Sequence, residues 1–316
     1  MYQTGEERYE QIEFASEGTP CAASLYRPDE SQTTGDPPIV VMGNGFGLPR
    51  GAGLPAVARR LTEHGLAAMT FDYRSLGQSG GEPRNVLLPS RQIDDWRAAV
   101  GHARTLDGID GDRVGVWGFS LGGGGAFVTA AREDVDAYVG QNPVLDGTRT
   151  LLYIARQMGP TYGLRTTAAG VRDLARKWTG REPNYIPIWG TYPDDLPALP
   201  TPGSKEGHEA VVGPDADDPS VNRCAARTFL TFGLYRPVSK ARRVDCPALL
   251  VEGARDQIAP RSAIEAAAER LPEVTWITYD IDHFGAFVGE TAGEIVEKEA
   301  AFLERHLVED TGSGNQ

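Results

Sequence analysis

The sequence predicts an α/β fold: a mostly parallel central sheet flanked by helices, with a largely helical cap inserted after the sixth strand. Three observations support it. Short apolar runs alternate with helix-like stretches through the first half of the chain, which calls for strands buried on both faces. One of these runs, Val114–Trp117, ends in Gly118-Phe119-Ser120-Leu121-Gly122 and gives way to a helix-like segment, the strand–turn–helix context of G-x-S-x-G. The alternation then stops after Asp146 and resumes only near Pro247. A structureless loop of that length does not suit a compact domain. Residues 147–241 are therefore expected to form a small cap on a core made of residues 1–146 and 242–308.

In order, Glu6–Ser16 and Cys21–Arg27 read as an antiparallel pair, turned at Glu17-Gly18-Thr19-Pro20. Ser31–Pro38 is a polar loop. Ile39–Met42 is a short buried strand that runs into the glycine turn Gly43–Gly47. Leu54–His64 has helical apolar spacing and is closed by Gly65. Leu66–Asp72 is the fourth strand, and Tyr73–Gly81 an irregular loop. Ser90–Leu106 is a helix with Ile93, Trp96, Val100 and Ala103 on one face. Asp112–Trp117 is the strand that leads to the serine, Ala126–Arg132 the helix after it, and Val135–Gly140 the sixth strand. Inside the cap, Leu151–Met158 and Ala168–Trp178 read as helices and Pro193–Pro219 as loop. Pro247–Val251 and Val274–Tyr279 are strands, and Ser262–Leu271 and Ala292–Leu307 helices. The polar tail, residues 309–316, is expected to be disordered. There is no internal repeat.

Composition narrows the function. A chain of 316 residues can bury a sizeable core. Its formal charge of −13 disfavours nucleic acid or an anionic membrane as the main partner. The acidic start, MYQTGEERYEQ, lacks the apolar core of a signal peptide, and no apolar run approaches the roughly 18 residues of a membrane span. Three separated cysteines, Cys21, Cys224 and Cys246, suit buried thiols in a reducing, cytoplasmic setting and argue against a disulfide framework or a zinc site. The expected partner is a small-molecule substrate. No cofactor or metal is expected, and a homodimer is left open.

A serine hydroxyl is a weak nucleophile that needs a base, and the base needs an orienting group. Gly118 and Gly122 leave room for a sharp turn with Ser120 at its tip, above a helix N-terminus. Among the five histidines, His64, His102, His208 and His306 sit in or beside helices or in the cap. His283, in Asp282-His283-Phe284-Gly285, follows the last strand directly. The acid is expected after the penultimate strand, at Asp256 in Glu252-Gly253-Ala254-Arg255-Asp256. Asp146, after the sixth strand, is the alternative, and Asp282 is poorly placed beside the histidine. The main-chain N–H groups of Leu121 and of Phe46, in the Asn44–Gly47 turn, are the expected donors to an oxyanion.

With these residues in this order, the chain resembles the α/β-hydrolase superfamily over nearly everything except the cap. Phe71-Asp72-Tyr73-Arg74 and Gly77-Gln78-Ser79-Gly80-Gly81 resemble small bacterial serine hydrolases related to dienelactone hydrolases, acetyl esterases and the X-Pro peptidase-like group. The resemblance implies the α/β-hydrolase fold and cleavage of an ester-like bond. Asn44 stands where many relatives carry histidine, and dienelactone hydrolases lack the long cap. The cap is rich in basic and aromatic residues. Tyr153 and Trp189, with Asn44, are expected substrate contacts, whereas Arg74 and Arg255 are expected to be structural ion-pair partners. The expectation is thus an acyl-enzyme on Ser120 that hydrolyses a carboxylic ester or thioester of a medium-sized, partly apolar substrate. The aromatic cap and the arginine-rich, GC-rich style of coding favour a secondary-metabolite substrate. C–C or amide cleavage on the same triad, a non-hydrolytic lyase or cyclase, and a ligand-binding protein with an idle triad are the alternatives.

Overall fold

The computed structural model describes residues 9–308. The tail at 309–316 and the start of the expected first strand, Glu6 to Arg8, lie outside the described residues. The chain opens with strands β1 (Glu10–Ser16), β2 (Thr19–Tyr26) and β3 (Pro38–Gly43), helix α1 (Leu54–Glu63), strand β4 (Ala67–Phe71) and helix α2 (Pro89–Ala103). Strand β5 (Asp110–Phe119), helix α3 (Leu121–Ala130) and strand β6 (Ala137–Gln141) follow. The excursion holds α4 (Gly147–Met158), α5 (Pro160–Trp178), strand β7 (Tyr185–Ile186), α6 (Ser204–Val212), strand β8 (Cys224–Ala225) and α7 (Thr228–Phe232). The chain returns through β9 (Ala248–Gly253), α8 (Arg261–Ala268), β10 (Val274–Tyr279), α9 (Gly285–Val288) and α10 (Ala292–Leu307).

Eight strands form one sheet in the order β1-β2-β4-β3-β5-β6-β9-β10. Only β2 runs against the rest. This is the α/β-hydrolase fold. The β1–β2 hairpin is tighter than its residues suggest. Only Glu17 and Gly18 form the turn, both at positive φ, and Thr19 and Pro20 join β2. Alternate strand residues feed two cores, one on each face. Val41, Val116 and Leu250 pack with Trp96 of α2 and Phe127 of α3. Val40, Trp117 and Leu249 pack with Val57 of α1 and Ile295 and Leu303 of α10. Burial on both faces is why the strands read as continuous apolar runs.

In the excursion α4 and α5 start earlier than expected and β7 and β8 add a short strand pair; two further departures have a clear physical cause. Helix α3 starts immediately after Ser120 rather than at Ala126, and takes in Gly122 to Gly125. Glycine disfavours a helix interior by about 1 kcal/mol each relative to alanine. Here packing overrides propensity, because a Cβ on Gly124 would lie 2.2 Å from the Val144 carbonyl oxygen and one on Gly125 2.4 Å from Trp96 Nε1. The second departure is α6, which lies within the stretch 193–219 expected to be loop. It forms because Gly207, His208 and Val211 face inward against the core, with Gly207 pressed on the Phe284 ring.

The excursion has its own polar anchor. Asp173 of α5 is fully buried and accepts from Arg227 Nε at 2.6 Å and Nη2 at 3.0 Å, and from the N–H groups of Arg227 and Asn184. A buried carboxylate needs such complete pairing. Among the described residues no helix is long and apolar enough to cross a membrane.

Candidate active site

Ser120 occupies the one-residue corner between β5 and α3, with φ of 54° and ψ of −118°. That strained conformation is held by its surroundings. Its N–H donates to Gln141 O at 2.9 Å, and its carbonyl accepts from Val144 N at 2.8 Å. The flanking glycines are required. A Cβ at Gly118 would meet Gly122 O at 2.4 Å, and one at Gly122 would meet the Gly43 and Asn44 carbonyls at 2.4 Å.

The structure brings Ser120, His283 and Asp256 into one line. His283 Nε2 is 2.9 Å from Ser120 Oγ, and His283 Nδ1 is 2.6 Å from Asp256 Oδ2. A carboxylate only accepts, so the imidazole proton sits on Nδ1 and the Nε2 lone pair faces the serine hydroxyl. The other oxygen of Asp256 accepts from Ile258 N at 2.7 Å and Ala259 N at 2.9 Å, which fixes the carboxylate plane. All three side chains are buried. This geometry lets the serine proton pass to Nε2 while the carboxylate stabilises the imidazolium. Asp146, the alternative acid, is engaged elsewhere: it caps α4 through Arg149 N and pairs with Arg236 at 3.0 Å. Asp282 accepts from Phe284 N and Gly285 N.

Phe46 and Leu121 flank the serine, and their N–H groups have no acceptor among the described residues. The turn that carries Phe46 is well anchored. Asn44, expected to contact substrate, instead spends its whole amide on that turn. Nδ2 donates to Pro49 O at 3.0 Å and Ala52 O at 2.7 Å, and Oδ1 accepts from Gly45 N at 2.8 Å. A second tie runs through Arg50, whose N–H donates to Asp72 Oδ1 at 2.7 Å and whose guanidinium pairs with the same carboxylate. The Phe71-Asp72-Tyr73-Arg74 stretch thus has a structural use. Arg74 and Arg255 are ion-paired to Asp95 and Asp280.

Beside Ser120 lies a mostly apolar cavity of about 260 Å³. Its walls come from the core (Phe46, Val144, Ile258) and from the excursion (Ile154, Tyr162, Phe232 among others). Tyr153 and Trp189 are not on this wall. Tyr153 donates its hydroxyl to Asp256 O at 3.1 Å, so it braces the acid loop. Trp189 is buried and stacks on His208 with ring centroids 5.0 Å apart. Aromatic side chains in a cluster bury one another, and the Trp189 ring is spent on His208. His208 is held neutral: burial pushes its pKa down to about 3, and Nδ1 donates to Ser204 O. A wider, more polar depression between Thr33, Arg104 and Glu304 lies at the opposite ends of the strands and holds none of these residues.

Sequence reasoning missed Asn142. It follows β6 with φ of 44° and is fully buried. Its Nδ2 donates to His283 O at 2.8 Å, and its Oδ1 accepts from Gly253 N at 2.7 Å. One amide therefore clamps the acid loop to the histidine loop. Its only sequence signal is its place at a strand's carboxyl end. Asn142→Ala is expected to lower kcat by about 10- to 100-fold with KM little changed, as misplacement of catalytic groups does. Steady-state kinetics on an ester substrate checks this, and an unchanged kcat would show that the loops hold without the clamp.

Comparison with known proteins agrees with this geometry. Residues 38–281 match the family model described as serine aminopeptidase, S33. The quorum-quenching protein AidA of Acinetobacter baumannii is 33% identical over 296 residues, covering 93% of this chain and 94% of that one. The thiohydrolase aneE of Aspergillus aculeatus is 24% identical over 308 residues, with 95% and 94% covered. Among solved structures, DcsB in complex with its substrate analogue superposes with a TM-score of 0.80 at 23% identity, over 95% of this chain and 99% of that one, a likeness of fold. With its single reversed strand, its serine corner and this match across most of its length, the chain belongs to the serine aminopeptidase S33 family of α/β hydrolases.

Proposed function

We propose that the protein is a serine hydrolase that cleaves a carboxylic ester or thioester with a medium-sized, largely apolar acyl group. Ser120 attacks the carbonyl carbon. His283 takes the hydroxyl proton and returns it to the leaving oxygen or sulfur. Asp256 holds the imidazole tautomer, and the Phe46 and Leu121 N–H groups receive the oxyanion. Water, activated by the same histidine, then releases the acid. The observation that carries this reading is the unbroken Asp256–His283–Ser120 line, at 2.6 and 2.9 Å, opening on an apolar cavity. A volume of about 260 Å³ falls just below the usual range for small-molecule sites, which favours a short to medium acyl chain. Similarity to a thiohydrolase supports the thioester form, and similarity to polyketide transferase af380 of Aspergillus fumigatus, 25% identical over 276 residues, supports a secondary-metabolite substrate.

The test is a fluorophosphonate label located by mass spectrometry, followed by ester and thioester substrates of graded chain length. Labelling at Ser120 with release of free acid is expected. A folded protein that takes no label and turns over no ester or thioester would overturn the reading. Acid release that gives way to ester formation when an alcohol is added would assign acyl transfer instead of hydrolysis; af380 is named a polyketide transferase. The cavity also yields a prediction. Ala155 of α4 is on its wall, and Ala155→Phe is expected to lower kcat/KM for an octanoyl ester about tenfold or more while sparing the acetyl ester.

A further inference from the structure

Helix α5 presents an unpartnered apolar seam to solvent. Leu164, Ala168, Val171, Ala175 and Trp178 are all exposed, at alternating steps of four and three residues. Leu164 is 72% exposed, Val171 55% and Trp178 78%, which is far from the burial such side chains find in a core. At 3.6 residues per turn these five fall in one narrow stripe about 21 Å long. The large members are seven residues apart, with alanines between them. Such a pattern offers holes to the knobs of a second helix. The opposite face of α5, with Tyr162, Thr166 and Asp173, is buried in the excursion.

Charge selects among occupants. Arg165, Arg172 and Arg176 run along one edge of the stripe, and Lys177 adjoins Trp178. The only acid on α5 is Asp173, buried against Arg227. Arg172 and Lys177 are exposed and have no ion-pair partner among the described residues. A second copy packed on the same stripe would bring these cations together. An anionic bilayer would meet a body whose formal charge is −13. A bilayer extends past the stripe over that body, whereas an acidic helix no longer than the stripe meets the arginine edge alone.

We propose that the outer face of α5 is a docking site for an acidic amphipathic helix of a partner protein. Apolar side chains of that helix seat between Leu164, Val171 and Trp178, and its carboxylates face the arginine edge. Thr167, next to the stripe, is on the wall of the cavity beside Ser120, so the docked helix lies at the rim of that cavity. The proposal does not depend on which bond the serine cleaves.

The probe is a fluorescent helical peptide of about 21 residues, with leucines at alternating three- and four-residue spacing and glutamates on its flanks. A twin carries lysine for glutamate. Both are titrated against the full chain by anisotropy at low and high salt. The glutamate peptide is expected to bind about tenfold or more tightly than its twin, to weaken with salt, and to lose about tenfold in affinity with either Val171→Asp or Arg172→Glu. Trp178 emission should shift to the blue on binding. Ester turnover and circular dichroism of both variants are expected to match the parent, which separates lost docking from lost folding. Equal binding of the two peptides, or undiminished binding by Val171→Asp and Arg172→Glu, overturns the proposal. A dimer in sedimentation velocity, or retention on phosphatidylglycerol vesicles, that Val171→Asp abolishes would assign the stripe to another occupant and overturn it as well.

Discussion

Ser120→Ala is expected to lower turnover of an activated ester about 10⁴- to 10⁶-fold and to leave the protein folded. The substitution removes one oxygen. That oxygen is the atom 2.9 Å from His283 Nε2, so the base loses the proton it would accept and the acyl group loses its point of attachment. The structural cost is small by comparison. The backbone at residue 120 is already at positive φ, and alanine tolerates it about as well as serine does. The hydrogen bonds of the Ser120 backbone to Gln141 and Val144 involve no side chain. Thermal unfolding should therefore change by only a few degrees while activity vanishes. Asp256→Asn is the companion experiment. An amide in place of the carboxylate can present an N–H to Nδ1 and favour the wrong tautomer, and a loss of about 10⁴ in kcat is expected. Full turnover by the Ser120→Ala protein would mean that the 2.6 and 2.9 Å contacts are an idle arrangement.

These residues were readable because each sits where a strand ends. An apolar run followed by a glycine is a local signal that Ser120 and Asp256 each have, and His283 closely follows the last strand. Asn142 also follows a strand, but neither its sequence nor that of the Arg50–Asp72 tie shows what the side chain bonds. Asn142 joins loops more than 100 residues away, and Arg50 meets Asp72 only because β3 and β4 are neighbours in the sheet. The glycine run 122–125 and the helix around Gly207 defeat local reading for another reason. Their helical state is set by tertiary contacts, with Trp96 and Val144 in one case and Phe284 in the other, against intrinsic propensity. Trp189 shows the limit for specificity. An aromatic residue in an irregular segment can face the substrate or another aromatic, and its sequence neighbourhood does not distinguish the two. Asn44 likewise stands within two residues of an expected oxyanion donor, yet its amide closes the turn instead of reaching into the cavity.

Glu299→Gln is expected to stabilise the protein at alkaline pH by up to about 5 kcal/mol and to change it little near pH 4.5. Glu299 of α10 is fully buried beneath β5, three residues of strand below the nucleophile's corner. Its Oε2 accepts from Trp117 Nε1 at 3.0 Å, and Oε1 has no partner among the described residues. Burial penalises the carboxylate and raises its pKa to about 8, although the Trp117 hydrogen bond pulls the other way. The folded protein therefore carries this group protonated at neutral pH. In the unfolded chain the same group loses its proton near 4.5, its ordinary value. Between these two values the folded state binds the extra proton, so stability falls as pH rises. The loss begins above about 4.5 and is complete once the pH passes about 8. Glutamine keeps the shape and an acceptor for Trp117 but cannot ionise, so the variant lacks this slope. Urea midpoints of both proteins at pH 5 and pH 8.5 should show a gap that widens with pH in favour of the glutamine variant. A gap that is the same at both pH values would mean that Glu299 is ionised in the folded state, its charge met by some group other than Trp117.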